Sequence, residues 1–389
     1  MLDAALLDDA EALAAADPRS VLRSLAGAGA QVRHAAEVTT SSLTSRWTEQ
    51  DRPRAVLVAA RGGAAVVADA LAAVVGSTGP VPVITLSGAR LPGWVGSLDL
   101  VIALSLSGHA EGAVAIAAEA GRRGSALLSI GGADSPLEHV SRRYRGAHVR
   151  LQVDVQPVGA ATSRTALWSL LTPAMLACDR LGLLPQGGMG SEADLQRLAD
   201  ALDVEAEACR FTSESFVNPA KSLALELDGG IPVILGDSQL SAVAGRRAAS
   251  VLARTARIPA VHGALPDDAG DIVATFGGPF ASSSADQVFA DPFLDGPTAT
   301  QLRLLLLDLG DGIGFGAVAA LAERSGVRHS RLRAHLVDGE LPSAADSPLQ
   351  RFARVVARVD FAATYLALAS GLDPAQSPHV AELRDTLRQ

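Results

Sequence analysis

Short apolar runs alternate with helix-length segments through the first half of the chain. Residues 55–60 (AVLVAA), 81–86 (VPVITL), 99–106 (DLVIALSL), 125–130 (SALLSI) and 147–153 (AHVRLQV) are apolar nearly throughout. Such runs predict strands buried on both faces, and helix-length spacers between them predict βαβ units and a parallel sheet. Residues 64–75 (AAVVADALAAVV) and 163–184 read as helices, the second stopped by Pro185. The polar, glycine-rich stretch 185–193 (PQGGMGSEA) reads as a linker. The pattern then restarts: residues 231–249 repeat the strand–turn–helix order of residues 55–71, a weak internal repeat. Further strands are expected at 258–263, 271–276 (DIVATF), 302–309 and 332–337 (LRAHLV), with an irregular insertion at 277–297 and closing helices near 350–370 and 378–388. The expected division is a first domain over 1–185, a connecting helix over 186–210 and a second domain over 211–389.

One junction carries more chemistry than the rest. The strand ending in LSLSG (Leu104 to Gly108) runs into a helix that starts near Glu111. Ser105 and Ser107 bring two hydroxyls, and Gly108 permits close backbone approach, at the positive end of a helix dipole. Such a place favours an anion, although Ser and Gly are also ordinary cap and turn residues. It is neither a Walker loop nor a dinucleotide fingerprint.

Composition narrows the classes. The chain has 389 residues, a formal charge of −9, 48% hydrophobic residues and 4% aromatics. The hydrophobic fraction excludes a disordered chain, and the acidic balance argues against a nucleic-acid binder. No apolar run is long enough to predict a membrane span, and the acidic N-terminus does not read as a signal peptide. Two cysteines, Cys178 and Cys209, suit a reducing cytoplasm, and no Cys/His spacing suggests zinc. Lys221 is the single lysine among 33 basic residues.

Several segments together resemble the sugar isomerase (SIS) family, in particular its bifunctional phosphoglucose/phosphomannose isomerases. They are RGGAAVVAD (Arg61 to Asp69), LSLSG, TSRTAL around Arg164, NPAK (Asn218 to Lys221), IPVILG from Ile231, and DFAATYLALASGLDP near the end. The resemblance implies an α/β fold of two SIS-type domains, each a parallel sheet flanked by helices in three αβα layers. It implies aldose–ketose isomerisation of hexose 6-phosphates such as glucose 6-phosphate and mannose 6-phosphate, without metal or cofactor. It also implies a homodimer in which the partner lends the ring-opening histidine. The substrate-binding positions it marks are Gly62, Gly63, Ser105, Ser107, Gly108, His109 and Arg164.

The working positions depart from the family pattern. The phosphate-binding serine of the glycine turn matches Ala64, the family's Asn-Thr matches His109 and Ala110, and its following glutamate matches Gly112. In the second half the catalytic glutamate matches Arg254, the histidine Ala269 and the C-terminal lysine Arg384. A guanidinium cannot abstract a proton near neutrality, and an alanine offers no proton chemistry. Each lost acid–base group costs roughly 10²–10⁴ in rate. Three readings follow: an isomerase with weakened or lost chemistry, a non-catalytic sugar-phosphate sensor or assembly protein, or a structural homodimer with no ligand. Glu111, Glu214, His262, Asp267, Asp268 and Asp271 are the groups from which a substitute acid–base pair could be drawn. Arg246, Arg247, Arg254 and Arg257 are expected along one helix and its end, as a solvated face or as contacts for a more anionic ligand.

Overall fold

The computed structural model describes residues 2–43, 47–76, 79–86, 88, 90–151, 164–185, 190–281, 300–309, 314–333 and 346–386, the side chains of residues 384 and 385 excepted. The chain divides into two compact units. The N-terminal unit spans residues 26–204. The C-terminal unit combines residues 1–25 with 205–389. The sequence pattern assigns those first 25 residues to the first domain. They cluster instead with the second half, and the division falls within the expected connecting helix.

Five parallel strands form the sheet of the N-terminal unit: β1 (Val56–Ala59), β2 (Val83–Leu86), β3 (Leu100–Ser105), β4 (Ala126–Gly132) and β5 (Ala147–Leu151). Their order is β2-β1-β3-β4-β5. Every residue of β1 and β3 is buried, as a strand covered on both faces requires. The helices of this unit are α4 (Ala28–Leu43), α5 (Ala65–Val75), α6 (Glu111–Arg122), α7 (Pro136–Arg143), α8 (Leu167–Arg180) and most of α9 (Glu192–Ala208). Leu57, Val101, Ile116, Leu127 and Leu137 meet in one of its cores, where strand and helix faces interlock.

The C-terminal unit begins with three short helices, α1 (Ala4–Asp8), α2 (Ala10–Ala16) and α3 (Val21–Ala26), the last reaching the unit boundary. It continues with α10 (Pro219–Leu227), β6 (Gly230–Gly236), α11 (Gln239–Val251), β7 (Val261–Ala264), α12 (Ala269–Ala274), β8 (Gln301–Asp308), α13 (Phe315–Arg324), β9 (Arg328–Arg333), α14 (Pro348–Ala369) and α15 (Pro378–Thr386). The four strands are parallel in the order β7-β6-β8-β9. The architecture is therefore α/β, with two parallel sheets flanked by helices in three-layer αβα fashion.

Two strand expectations shift. Residues 271–276 are not a strand: Ala269–Ala274 is helical, and Ile272 and Phe276, four apart, are buried on one face. The last strand is Arg328–Arg333, earlier than the expected 332–337, and residues 334–337 lie outside the described residues. So does most of the expected insertion at 277–297.

The single lysine is a structural tie. Lys221 is 1% exposed, and its Nζ donates to the backbone carbonyls of Leu7 (2.5 Å), Phe211 (2.8 Å) and Ser213 (2.6 Å). The ammonium also lies 5.5 Å from the Tyr365 ring centre. All three of its protons are used, which offsets much of the cost of burying a charge. Arg247 is likewise buried, paired with Asp360 of α14. It does not belong to a solvated arginine face.

Candidate functional site

In a sheet of order β2-β1-β3-β4-β5, the chain leaves β1 toward one edge and β3 toward the other. The loops after β1 and β3 therefore diverge and leave a crevice at the carboxyl ends of the strands, the usual ligand position in open α/β sheets. The glycine turn and the LSLSG loop are those two loops. The structure thus brings Gly62, Gly63, Ser105, Ser107, Gly108 and His109 to one end of one sheet.

The loop after β3 is tightly built. Ser105, the last residue of β3, is buried, and its hydroxyl oxygen accepts from the Ala110 amide at 3.1 Å. Gly108 has φ of +73°, and its amide donates to the Ser105 carbonyl at 2.8 Å. A Cβ at Gly108 would stand 2.1 Å from the Ser135 hydroxyl oxygen, so both conformation and space require glycine. A Cβ at Gly131 would come within 2.2 Å of the Ser105 carbonyl oxygen. The end of β4 therefore supports the loop from below. Ser107 is exposed, and its hydroxyl oxygen lies 3.4 Å from the His109 amide. His109 is also exposed. Its Nδ1 lies 2.7 Å from the Ser107 carbonyl, which can only accept, so Nδ1 carries the proton and Nε2 is left as the acceptor of the neutral ring.

Helix α6 starts here without a side-chain cap from Ala110. The amides of Glu111, Gly112 and Ala113 have no acceptor among the described residues. Three unpaired N–H groups and the helix dipole make this end electropositive. Arg61 adds a full charge. Its side chain passes so close to α6 that a Cβ on Gly112 would stand 3.3 Å from Arg61 Cδ. The Arg61 side chain is exposed and makes no hydrogen bond or ion pair with described residues. Arg61, Gly131 and Ser135 are not marked by the sequence pattern. The arginine directly before the glycine pair is the available signal.

The other positions are distributed differently. Gly62, with φ of +61°, opens a 3₁₀ turn over Gly62–Ala64, and Ala64 is buried. Arg164 is half-buried just ahead of α8 and already holds a polar partner. Asp69 accepts from Thr85 of β2 at 3.2 Å, a bond between helix and strand. Glu111 and Glu214 are exposed.

In the C-terminal unit, Arg254 lies in the π-helical turn Leu252–Ala256 that leads into β7, and Ala269 opens α12 after β7. They flank that strand at opposite ends and do not share a site within one chain. The Arg384 side chain lies outside the described residues. His262 of β7 has its pKa lowered by desolvation and by the Arg246 charge, against the pull of Asp268. Asp268 accepts from the Ala264 amide at 2.8 Å, which leaves it a turn-forming role. At the carboxyl end of β6 stand Asp237 and Ser238, and the Ser238 hydroxyl accepts from the Ser241 amide to cap α11. An acidic residue there disfavours a phosphate, in contrast to the first sheet. Among the described residues no group of three or more His, Cys, Asp or Glu could hold a metal ion.

Known proteins share the family pattern of the C-terminal half and the fold of the whole chain. Residues 216–387 match the family described as bacterial phospho-glucose isomerase C-terminal SIS domain. No curated protein matches the sequence. Solved structures share the fold at low identity. A Thermus thermophilus protein described as hypothetical superposes with a TM-score of 0.65 at 16% identity, covering 99% of this chain and 94% of that one. The C-terminal domain of glucosamine-fructose-6-phosphate aminotransferase from Francisella tularensis gives 0.60 at 11% identity, over 92% and 98%. Tagatose-6-phosphate ketose/aldose isomerase from Escherichia coli gives 0.57 at 14% identity, over 94% and 93%. Residues 216–387 are therefore an SIS domain by sequence, and the fold of the whole chain is that of double SIS proteins. No helix among the described residues is long and apolar enough to cross a membrane.

Proposed function

We propose that the protein binds a sugar phosphate at the switch point of its N-terminal sheet and has lost the family's acid–base route for isomerising hexose 6-phosphates. One observation carries the binding half: the unpaired amides of Glu111, Gly112 and Ala113, with the Arg61 side chain packed against Gly112 beside the Ser105–His109 loop. The Ser105 hydroxyl is used as an acceptor, so its proton is available to a phosphate oxygen. Gly62 and Gly63 border the same crevice, and His109 when protonated adds a further donor. Arg164 is assigned to the rim.

The catalytic half rests on residue chemistry. Arg254 and Ala269 stand where the family's glutamate and histidine are expected, and neither performs their proton transfers. The sequence match of Arg384 to the family lysine keeps only a charge. The reading is a sugar-phosphate sensor or assembly protein. We propose that it works as a homodimer in the cytoplasm, and light scattering at micromolar concentration should give twice the chain mass.

A rebuilt enzyme is the second reading, favoured by one feature, the exposed His109 ring beside the loop, held at Nδ1 by the Ser107 carbonyl. Incubation with glucose 6-phosphate and mannose 6-phosphate, following fructose 6-phosphate, separates the two. Ligand binding without turnover supports the sensor. Turnover abolished by His109→Ala or Glu111→Gln supports the enzyme.

A further inference from the structure

The C-terminal unit holds a cavity of about 360 Å³ away from the carboxyl ends of its strands. It lies against the amino-terminal halves of β8 and β9 and the last turn of α10. Arg303 and Arg328 are direct partners in the parallel ladder, as are Leu305 and Ser330 two residues on. With a side-chain period of two, these four residues stand on one face of the sheet. Like charges side by side on adjacent strands repel. Here neither guanidinium is neutralised: among the described residues neither Arg303 nor Arg328 makes an ion pair or a hydrogen bond, and Arg303 Nη1 is buried without a partner. The acid that lines the cavity, Glu226 at the end of α10, instead accepts a hydrogen bond from the Ser330 hydroxyl at 2.6 Å. Burial and the Arg328 charge lower the Arg303 pKa, yet an arginine remains charged.

The arrangement is built for its arginines. A Cβ on Gly230 would stand 2.4 Å from Arg303 Cγ, so the glycine at the start of β6 clears the path of the Arg303 stem. A guanidinium with one nitrogen buried and unpaired, beside a second guanidinium, is costly unless an anion completes it. Leu225 and Leu227 supply apolar wall.

We propose that this cavity is a second anion site, taking the phosphoryl group of a small hydroxylated phosphate ester. Arg303 and Arg328 hold the phosphoryl oxygens, and Glu226 accepts a hydroxyl of the same molecule. The site lies in the C-terminal sheet, separate from the switch-point loops of the N-terminal unit, and it does not depend on them.

The test is calorimetric titration of the full chain carrying Ser105→Ala and Ser107→Ala, with inorganic phosphate and with glycerol 3-phosphate as probes. The expected result is one equivalent bound, weakened about 10–100-fold by Arg303→Gln and by Arg328→Gln. Arg328 is exposed, so its variant folds even if the Arg303 variant does not. Tighter binding of the ester than of phosphate, lost in Glu226→Ala, identifies the ester as ligand. Equal binding that the arginine variants still weaken identifies the free ion in the same site. Absence of binding, or binding that Arg328→Gln leaves unchanged, overturns the proposal. Loss of all binding in the serine double variant alone would place every phosphate at the switch point and overturn it as well.

Discussion

The hydroxyl oxygen of Ser105 lies 3.1 Å from the amide nitrogen of Ala110, across the turn that links β3 to α6. The bond closes the loop with the hydroxyl as acceptor and leaves its proton free to donate. Replacing Ser105 by Ala removes both the brace and the donor. Ser105→Ala with Ser107→Ala should weaken binding of a sugar phosphate at least ~10-fold, since bonds to a charged ligand contribute about 1.5–3 kcal/mol each. Titration calorimetry checks this. Arg61→Met should weaken binding comparably and flatten its dependence on salt.

Gly108 tests the loop's shape. Its φ of +73° and the Ser135 hydroxyl 2.1 Å from any Cβ leave no room for a side chain. Gly108→Ala should cost about 1–3 kcal/mol of stability in the N-terminal unit and abolish sugar-phosphate binding. Urea unfolding followed by circular dichroism, alongside titration, reads both effects.

Lys221 explains why one lysine persists in a chain otherwise given over to arginine. Three backbone carbonyls converge on a single point, which suits a compact ammonium with three rotatable protons. A planar guanidinium is too large and too rigid for that cage. Lys221→Met should destabilise the C-terminal unit by about 3 kcal/mol, because buried carbonyls lose their donor. Lys221→Arg, conservative by charge, should also destabilise it. Urea denaturation distinguishes this from a surface lysine, where either change would be nearly silent.

His148 gives the N-terminal unit a pH dependence. Its Nδ1 lies 2.6 Å from the Ser129 hydroxyl, and burial lowers its pKa below 6.5, against the opposing charge of Glu138. The unfolded chain therefore takes up the proton first as pH falls. Stability should be fully present above about pH 6.5 and decline below it, until the folded imidazole also protonates. Glu138, raised by burial but lowered overall by Arg150 and its other partners, acts only in the more acidic carboxylate range. Unfolding free energies at pH 7.5 and 5.5 should differ in the wild type and differ less in His148→Gln. An unchanged difference would remove His148 as the cause.

The five strands of the first sheet were legible because each is an apolar run bounded by polar turns, and β3 carried its serines visibly to its end. The C-terminal pattern was readable in β6, β8 and α14 for the same reason. Residues 271–276 misled because four apolar positions in six residues suit a strand or a helix, and only Ile272 and Phe276 packing together decides. The tie between Lys221 and Leu7 joins residues 214 positions apart, and no local pattern announces it. Gly112 read as a lost glutamate; its value is the space it gives Arg61, which only the packing reveals. The paired arginines of β8 and β9 depend on register, which a single strand does not encode.

The central claim is binding without the family's chemistry. The most direct test is calorimetric titration of glucose 6-phosphate into the full chain, with fructose 6-phosphate assayed in the same cell contents. An Arg328→Gln background keeps the second cavity out of the readout. The account predicts one equivalent bound, lost in Ser105→Ala/Ser107→Ala, and no fructose 6-phosphate formed. Binding that survives the double substitution, or isomerisation at a rate of about 1 s⁻¹ or more as for ordinary enzymes, would contradict it.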